Sequence, residues 1–277
     1  IKILGTGVTF TSLKIGTIFA GLLTLPYIYL LGKELAGRWV GLTAFFLAGI
    51  AYWPNVISRI GLRFPFYALF AAPTIYYLIL GLRYGQRNYF ILSGLALGLG
   101  LHGYSPFRIV PLVALIGFGM AFFANHSKKY KQNIFWYFCL LAFTALIIFL
   151  PLLRYAIENP VMFGIRAFSR LTSIEKPLIK PALEILIENL WNALTMFFYS
   201  NGEIWVHSIP NRPALDLITA VFFFIGLIVV IKKYMVYRRW EDLFLLALIP
   251  LLMLPSILSL AFPRENPCLN RTSAAII

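Results

Sequence analysis

Two long uncharged apolar runs constrain this chain more than any other feature of its sequence. The segments 134–153 and 243–262 each contain 20 residues without an Asp, Glu, Lys or Arg. A helix of about 20 apolar residues matches the hydrocarbon thickness of a bilayer. Because lipid offers the backbone no hydrogen-bond partners, such a segment must satisfy its own amides, which a helix does. We therefore predict an all-α, polytopic membrane protein.

The composition argues against a soluble domain and against a nucleic-acid-binding protein. Only 12% of the residues are charged and 60% are hydrophobic, whereas about a quarter of a soluble domain is charged. The net charge of +14 lies in short loops between apolar runs, which is typical of membrane proteins and not of a basic surface stripe. The two cysteines, Cys139 in an apolar run and Cys268 in a loop, indicate neither a metal site nor a disulfide.

Eight apolar segments predict about eight transmembrane helices in a single domain covering 1–277. They are 15–31, 39–53, 64–82, 89–101, 109–124, 134–153, 217–231 and 243–262. The fourth and fifth are short for complete spans, and the polar turn 102–108 separates them. Irregular backbone at that depth is tolerated only where protein or water shelters it. We therefore expect this turn to be covered by neighbouring parts of the protein.

The distribution of Lys and Arg predicts the topology. One set of loops is basic and contains Lys33, Arg38, Arg83, Arg87, Lys128, Lys129, Lys131, Lys232, Lys233, Arg238 and Arg239. The opposite short loops contain only Arg59, Arg63 and Arg108. The positive-inside rule assigns the first set to the cytoplasm. This assignment predicts a multi-pass protein of the plasma membrane, or bacterial inner membrane, with its N-terminal end outside and at least one further span upstream of Ile1.

The long segment 154–216 is predicted to be an exoplasmic loop that contains an amphipathic helix over 181–199. Pro181 suits the first turn of such a helix. Its apolar stripe, at helical spacing, is formed by Leu183, Leu186, Ile187, Leu190, Leu194 and Phe197. The stripe would pack against the protein's own spans, lie in the outer membrane interface, or do both.

Three outer arginines are candidates for an anion site. Arg59 and Arg63 are four residues apart and share a face on a helical turn, and Arg108 ends the next outer loop. A guanidinium group matches phosphate oxygens with two parallel hydrogen bonds. The alternative is that these side chains extend to ordinary lipid headgroups.

The outer loop 201–216 holds a second group of polar residues. Glu203 is a weak candidate for a catalytic base or a sugar-orienting group, and Trp205 for a stacking platform. His207 and Arg212 complete the group. The alternative is a structural loop tied by an ion pair, in which Asp216 caps the following helix. His102 and Tyr104 lie in the outer turn between the two short spans, where a structural role is the alternative to substrate binding.

The order of these segments resembles the GT-C fold membrane glycosyltransferases, specifically the bacterial and archaeal protein mannosyltransferase and aminoarabinose transferase-like group. The resemblance is carried by 22–37, by the motif 58–63, by the glycine-rich stretch 94–108 with its outer turn, and by the loops 202–216 and 255–271. It covers essentially the whole chain. The segment 22–37 corresponds to the second span of the group, so the first span and first outer loop are expected upstream.

The resemblance implies an inverting transfer of a sugar from a polyprenyl-phosphate donor to a glycan, lipid or protein acceptor outside the membrane. It assigns Arg59, Arg63 and Arg108 to the donor phosphate. Substrate contacts would come from His102, Tyr104, Trp205, His207, Arg212 and Arg271. The family's base, and a divalent metal in some members, belong to the first outer loop upstream of Ile1. Some members carry an acidic residue after the motif arginine, where this chain has Phe64.

Two other functions fit the same segments. A transporter or flippase for a lipid-linked sugar would contain internal repeats and mid-membrane charges. A non-catalytic scaffold related to the transferases would lack the paired acidic residues of the upstream loop. Because that loop is expected to carry the base, we predict that the segment 1–277 alone is inactive.

Overall fold

The computed structural model describes Gly7, residues 9–172 and residues 175–277, apart from the side chains of Arg166 and Ala167. In this part of the chain the regular structure is helical. The α-helices are α1 (Phe10–Ala36), α2 (Arg38–Ile50), α3 (Tyr52–Arg59), α4 (Pro65–Tyr84), α5 (Arg87–Leu101), α6 (Val110–Ala124), α7 (Lys128–Glu158), α8 (Pro160–Leu171), α9 (Ala182–Thr195), α10 (Leu217–Tyr237) and α11 (Trp240–Ile257). Short 3-10 helices cover Ser105–Ile109, Pro263–Glu265 and Ser273–Ile276.

Six helical segments in the described residues are long and apolar enough to cross a bilayer, and the bent pair α2–α3 makes a seventh if it counts as one span. The polytopic all-α architecture is therefore confirmed. The number of about eight complete spans is too high, because α5 has only 15 residues and at 1.5 Å per residue is shorter than a hydrocarbon core of about 30 Å. The fifth predicted span does qualify, because the 3-10 helix from Ser105 extends α6.

The predicted span 39–53 is interrupted. Helices α2 and α3 meet at a 50° bend, where Ala51 is extended (ψ 145°). Pro54 lies one turn later and has no amide hydrogen, so the carbonyl four residues before it gains no helical partner from this residue. The Asn55 amide group donates to the Gly49 oxygen at 2.9 Å and the Ala51 oxygen at 2.8 Å. The Asn55 side chain therefore provides hydrogen bonds to two carbonyls at the bend.

Helix α4 is the centre of the bundle. Of its most apolar 18-residue window 72% is buried, whereas no residue of α10 is buried. Tyr67, Ile75 and Phe90 are fully buried in the core around α4, together with Phe107 and Phe244. The outer helices α7 and α10 expose large apolar side chains along their length. Such surfaces are stable only in contact with lipid.

Two glycines bring α5 against α7. A Cβ atom at Gly94 would lie 2.7 Å from the Leu141 carbonyl oxygen, and one at Gly98 would lie 2.8 Å from the Ala145 oxygen. Both distances are shorter than a van der Waals contact, so only glycine permits this approach. Small residues four apart give membrane helices this close packing.

We expect Gly94→Ala to lower the melting temperature of the full chain in detergent, because the added methyl group pushes against the α7 backbone at a typical cost of about 1–3 kcal/mol. Gly226→Ala is the matched control, because a Cβ atom at this α10 position meets nothing within 4 Å. The two variants carry the same substitution in a helix. An equal effect on both melting temperatures would refute the close α5–α7 contact.

The predicted cytoplasmic loops meet at one end of the bundle. Arg83 at the end of α4 pairs with Glu34 of α1 (2.7 Å) and with Glu241 of α11 (3.4 Å). The Tyr130 hydroxyl at the start of α7 donates to the Leu82 oxygen at 3.0 Å. The ends of α1 and α4 therefore lie beside the starts of α7 and α11, as the alternation of loops predicts.

The long outer segment contains α9, but with shorter bounds than predicted. The helix begins at Ala182, and Pro181 is its N-cap residue instead of a first-turn residue. The helix ends at Thr195 instead of 199, because the returning chain uses the next carbonyls. The Ala214 amide donates to the Met196 oxygen and the Leu215 amide to the Phe197 oxygen.

Both interpretations of the α9 apolar stripe fit parts of the helix. Ile185, Asn189 and Ala193 are buried on the side that packs against α11. Most of the predicted stripe lies on another face, where Leu183 is 69% exposed and Ile187 is 59% exposed. The helix therefore packs with one face and leaves an apolar face outward.

Helix α8 was not predicted from the sequence. It places Val161, Ile165 and Phe168 on its surface as exposed apolar side chains, spaced as on one helical face. The end of the bundle opposite Arg83, which we call the outer end after the predicted topology, thus has two helices with outward apolar faces. Such faces are typical of helices that lie in a membrane interface.

The sidedness of the loops remains a prediction, and cysteine labelling tests it. After Cys139 and Cys268 are replaced by Ser, we expect a cysteine introduced at Lys128 to react only with reagent on the cytoplasmic side. A cysteine at Arg59 should react only from the opposite side, because an odd number of spans separates the two loops in the predicted topology. Labelling of both from one side would refute this topology.

Candidate functional site

A network of buried amides fixes the C-terminal segment (258–277) to the outer end of the bundle. The Asn266 side chain donates to the Asn189 oxygen at 2.8 Å and accepts from the Ser256 hydroxyl at 2.8 Å. Asn189 of α9 in turn donates to the Ile257 oxygen at 2.9 Å. Each of these three polar side chains is at most 5% exposed. Buried hydrogen bonds of this kind are costly to leave unmade, so the segment is held in one position.

The outer loop (200–212) packs onto this C-terminal segment. A Cβ atom at Gly202 would lie 2.3 Å from the Pro267 oxygen, and Gly202 has a φ of +94°. Both facts require glycine at this position. The loop closes on itself through the Asn201 amide to the Arg212 oxygen (2.8 Å) and the Asn211 amide to the Gly202 oxygen (2.9 Å).

A charged cluster lies where these two segments meet the helices. Glu265 of the C-terminal segment accepts a hydrogen bond from Arg271 and lies 3.6 Å from a nitrogen of Arg170. Arg170 extends from α8 and stacks on the Phe262 ring at 3.8 Å. Arg271 also donates to the Ser259 hydroxyl. The Arg271 side chain is only 16% exposed, and Glu265 is the carboxylate that pairs with its charge.

His207 of the outer loop is buried beside this cluster, at 6% exposure. Burial and the nearby Arg271 charge lower the pKa of His207 to about 4, although Glu265 acts in the opposite direction. The imidazole is therefore neutral at neutral pH. Its Nε2 atom is buried and has no hydrogen-bond partner among the described residues.

Arg63 and Tyr104 form the next part of the site. The Arg63 guanidinium lies 5.8 Å from the centre of the Tyr104 ring. Phe64 contacts both Tyr104 (5.2 Å between ring centres) and His207 (5.8 Å). Tyr104 also interacts electrostatically with Arg271. Phe64 and Tyr104 therefore connect the motif arginine to the charged cluster.

Arg108 joins this site through α8. Its side chain donates to the Phe163 oxygen at 2.9 Å and stacks on the Phe163 ring at 3.8 Å. Arg63 and Arg108 are close enough for their charges to repel each other. Nearby like charges disfavour each other, and an anion between or beside them would relieve that repulsion. The local excess of positive charge favours a phosphate or another anion here.

The structure thus brings together Arg63, Tyr104, Arg108, His207 and Arg271 out of the residues selected from the sequence. Arg59 is exposed at the end of α3, as Arg63 is four residues later. The His102 Nε2 atom is 2.8 Å from the Ile148 oxygen of α7. Trp205 is 77% exposed, and Arg212 stacks on the Tyr52 ring at 4.0 Å.

Glu203 lines a separate cavity of about 520 Å³ between α9, the outer loop and the C-terminal segment. None of Arg63, Arg108 and Arg271 lines this cavity. The alternative role of Asp216 as a helix cap is confirmed, because its carboxylate accepts from the Thr219 amide at 3.0 Å. This hydrogen bond also lowers the pKa of Asp216.

Glu265 and Arg170 were missed by the sequence analysis. Glu265 lies in the polar stretch 264–266, which interrupts an apolar region directly after the last span. That interruption is a usable signal, because a carboxylate at a membrane interface usually has a partner. Arg170 lay in a long loop whose basic residues carried no topological information, and nothing in its local sequence indicated Glu265 as its partner.

In the part of the chain that the structure describes, no group of three or more His, Cys, Asp or Glu side chains is arranged to hold a metal ion. The divalent metal implied by the resemblance remains a prediction. The chemistry that these residues can provide by themselves is anion binding by guanidinium groups, with a neutral imidazole and a phenol beside them.

The lowered pKa of His207 predicts a pH dependence of stability. Between pH 6.5 and about 4 the unfolded chain binds a proton that the folded chain resists, so the folded state loses stability as the pH falls through this range. We expect the melting temperature of the full chain to fall less between pH 7 and pH 5 in His207→Gln than in the wild type. The corresponding difference in the free energy of unfolding should be of the order of 1–2 kcal/mol.

His126→Gln is the matched control for this measurement, because His126 is exposed at the opposite end of the bundle. Its melting temperature should follow the wild-type curve. An unchanged pH dependence in His207→Gln would mean that His207 is not held neutral by the fold.

Comparison with known proteins identifies a matching family. The sequence model of a family described as dolichyl-phosphate-mannose-protein mannosyltransferase matches residues 2–155, which is more than half of the 277 residues and includes α1 to α6 and most of α7. No curated protein and no solved structure gives a significant match to the chain.

Proposed function

Because the chain belongs to the dolichyl-phosphate-mannose-protein mannosyltransferase family, we propose that it transfers a sugar from a polyprenyl-phosphate donor to an acceptor at the outer face of the membrane. Membership of this family implies glycosyltransferase activity with a lipid-linked sugar donor. The outer location, the inverting stereochemistry and the residues of the site are our proposal.

The convergence of Arg63 and Arg108 at one end of an apolar bundle is the observation that supports this function best. They come from two different outer loops, and their charges act on each other. Arg271 approaches the same place through its interaction with Tyr104. Three guanidinium groups with one nearby carboxylate, Glu265, leave a net positive site that suits a phosphate.

The bundle also suits the other half of the donor. A polyprenyl chain is apolar and must remain in the hydrocarbon layer while its phosphate stays at the interface. Helices α7 and α10 expose apolar side chains to that layer. The outward apolar faces of α8 and α9 would place the outer segments at headgroup depth. Arg108, which is bound to Phe163 of α8, would then lie at the same level as the lipid phosphate.

In the proposed reaction the acceptor oxygen attacks the anomeric carbon of the sugar, and the bond from that carbon to the phosphate oxygen breaks. Attack from the opposite face inverts the anomeric configuration. The polyprenyl phosphate leaves with additional negative charge, which Arg63 and Arg108 would stabilise. The acceptor proton passes to a carboxylate base within hydrogen-bond reach, which the resemblance places upstream of Ile1. Arg271 would be positioned for the same phosphate by its hydrogen bond to Glu265.

We expect Arg63→Ala and Arg108→Ala each to lower sugar transfer by roughly 10- to 100-fold, because a hydrogen bond to a charged group typically contributes about 1.5–3 kcal/mol. The assay uses the full-length protein in membranes with radiolabelled polyprenyl-phosphate mannose, and it measures the sugar released from the donor. Lys232→Ala, an exposed position at the opposite end, is the matched loss of one positive charge and should retain wild-type transfer.

Wild-type transfer in both arginine variants would remove these residues from the donor site. Movement of the labelled donor between leaflets without release of its sugar would instead favour the transporter function. Absence of both activities in the full-length wild type would favour the non-catalytic scaffold.

A further inference from the structure

The cavity between α9, the outer loop and the C-terminal segment has no role in the donor site described above. Its volume of about 520 Å³ lies within the range of about 300–1,000 Å³ that is usual for small-molecule sites. Helix α9 contributes Asn192 and Thr195 to its wall, Tyr199 follows the helix, and the outer loop contributes Glu203. The C-terminal segment closes the cavity on the third side.

The wall of this cavity combines polar and apolar surface and is close to neutral. Hydroxyl and amide groups predominate, and Glu203 and Arg264 contribute one charge of each sign. Amides and carboxylates together supply the donors and acceptors that hydroxyl groups need. Tyr199 is 78% exposed and offers an aromatic face, on which the apolar face of a sugar ring can pack.

The cavity is held rigidly. Gly202 lies against the Pro267 oxygen in a contact that admits no side chain, and Asn266 is fixed by its hydrogen bonds to Asn189 and Ser256. Asn211, which also lines the cavity, has a φ of +58°. A wall whose backbone is fixed before binding loses little conformational freedom when a ligand enters.

The cavity and the charged cluster are built on the same two segments. In the C-terminal segment Arg264 and Asn266 line the cavity, while Glu265 between them pairs with Arg271. In the outer loop Glu203 lines the cavity, while His207 is buried beside Arg271. A molecule in the cavity would therefore lie next to the proposed donor site.

We propose that this cavity binds the carbohydrate acceptor of the transfer reaction. That the bound carbohydrate is the acceptor rests on the proposed function. That the cavity binds carbohydrate is inferred from the cavity alone. A peptide is the alternative occupant, and the binding experiment includes both classes of ligand. The exposed apolar face of α9 places the cavity at a depth where the glycan of a lipid can enter it.

Binding is tested with the full-length protein in nanodiscs without donor, on an array of defined oligosaccharides and serine- or threonine-containing peptides. We expect the wild type to bind at least one oligosaccharide. Asn192→Leu and Glu203→Gln should each weaken that binding by at least about tenfold, because the first removes hydrogen-bonding groups from the cavity wall and the second replaces a charged acceptor by a weaker neutral one. Asn211→Gly, which tolerates the positive φ, should weaken it without disturbing the backbone.

Asn133→Leu is the matched control, because Asn133 is exposed on α7 at the opposite end of the bundle. It should bind as the wild type does. The preferred oligosaccharide is then presented both free and attached to a lipid. Weakening of both forms by Asn192→Leu supports the inference. Binding that needs the lipid and is unaffected by Asn192→Leu overturns it.

Binding of peptides alone, or of no member of the array, also overturns the inference. Arg63→Ala separates it from the proposed function, because this variant should lose sugar transfer and keep oligosaccharide binding. Oligosaccharide binding that depends on Asn192 in a protein without any transfer activity would leave the carbohydrate site standing and refute the transferase.

Discussion

The absence of water from the hydrocarbon layer determines where the ionic groups of this protein lie. A charge inside the bilayer must find a partner within the protein or be placed at an interface. Arg83, Glu34 and Glu241 meet at one end of the bundle, and Arg63, Arg108 and Arg271 gather at the other. This separation is what creates a site of high positive charge beside an apolar surface. A soluble fold could distribute the same residues over its whole surface.

The two ends of the bundle differ in how their charges are balanced. At the Arg83 end the two carboxylates, Glu34 and Glu241, are matched by two arginines, because Arg239 also lies 3.6 Å from Glu241. At the other end Glu265 is the carboxylate that pairs with Arg271 and approaches Arg170, while the Arg63 and Arg108 charges repel. An arrangement that serves only to hold helices together would pair its charges, as the first end does. The imbalance at the second end is the physical reason to expect an anionic ligand there.

The sequence predicted the features that hydropathy and charge encode directly. The run 134–153 falls within α7, and the run 243–262 begins in α11 and continues past its end at Ile257. The basic loops lie at one end of the bundle, because topology follows from Lys and Arg. The bend at Ala51 was missed, because the run 39–53 is continuously apolar and hydropathy does not register a break in helical hydrogen bonding. Helix α5 was counted as a span, although its 15 residues end at the turn 102–108 and are too few to cross the hydrocarbon layer.

The site was predictable only in part, for a similar reason. Arg63 and Arg108 were selected because they are rare charges in short outer loops, and this signal is local. The neighbours that complete the site come from distant parts of the chain: Glu265 from beyond the last span and Arg170 from α8. Their proximity depends on tertiary packing through the Asn189 and Asn266 network, which no local pattern encodes. Glu203 and Trp205 were chosen by residue type, and the fold places Glu203 in the neighbouring cavity and leaves Trp205 exposed.

Helix α10 buries none of its residues, and its side chains therefore contact lipid more than protein. Such a helix is selected for length and hydropathy but hardly for shape, so Leu, Ile, Val and Phe can replace one another there over evolutionary time without loss of the architecture. Its partner α11 carries fully buried side chains such as Phe244 and Met253 and has no comparable freedom to drift. Homologous proteins would therefore be difficult to align across 217–237 even where their structures superimpose closely.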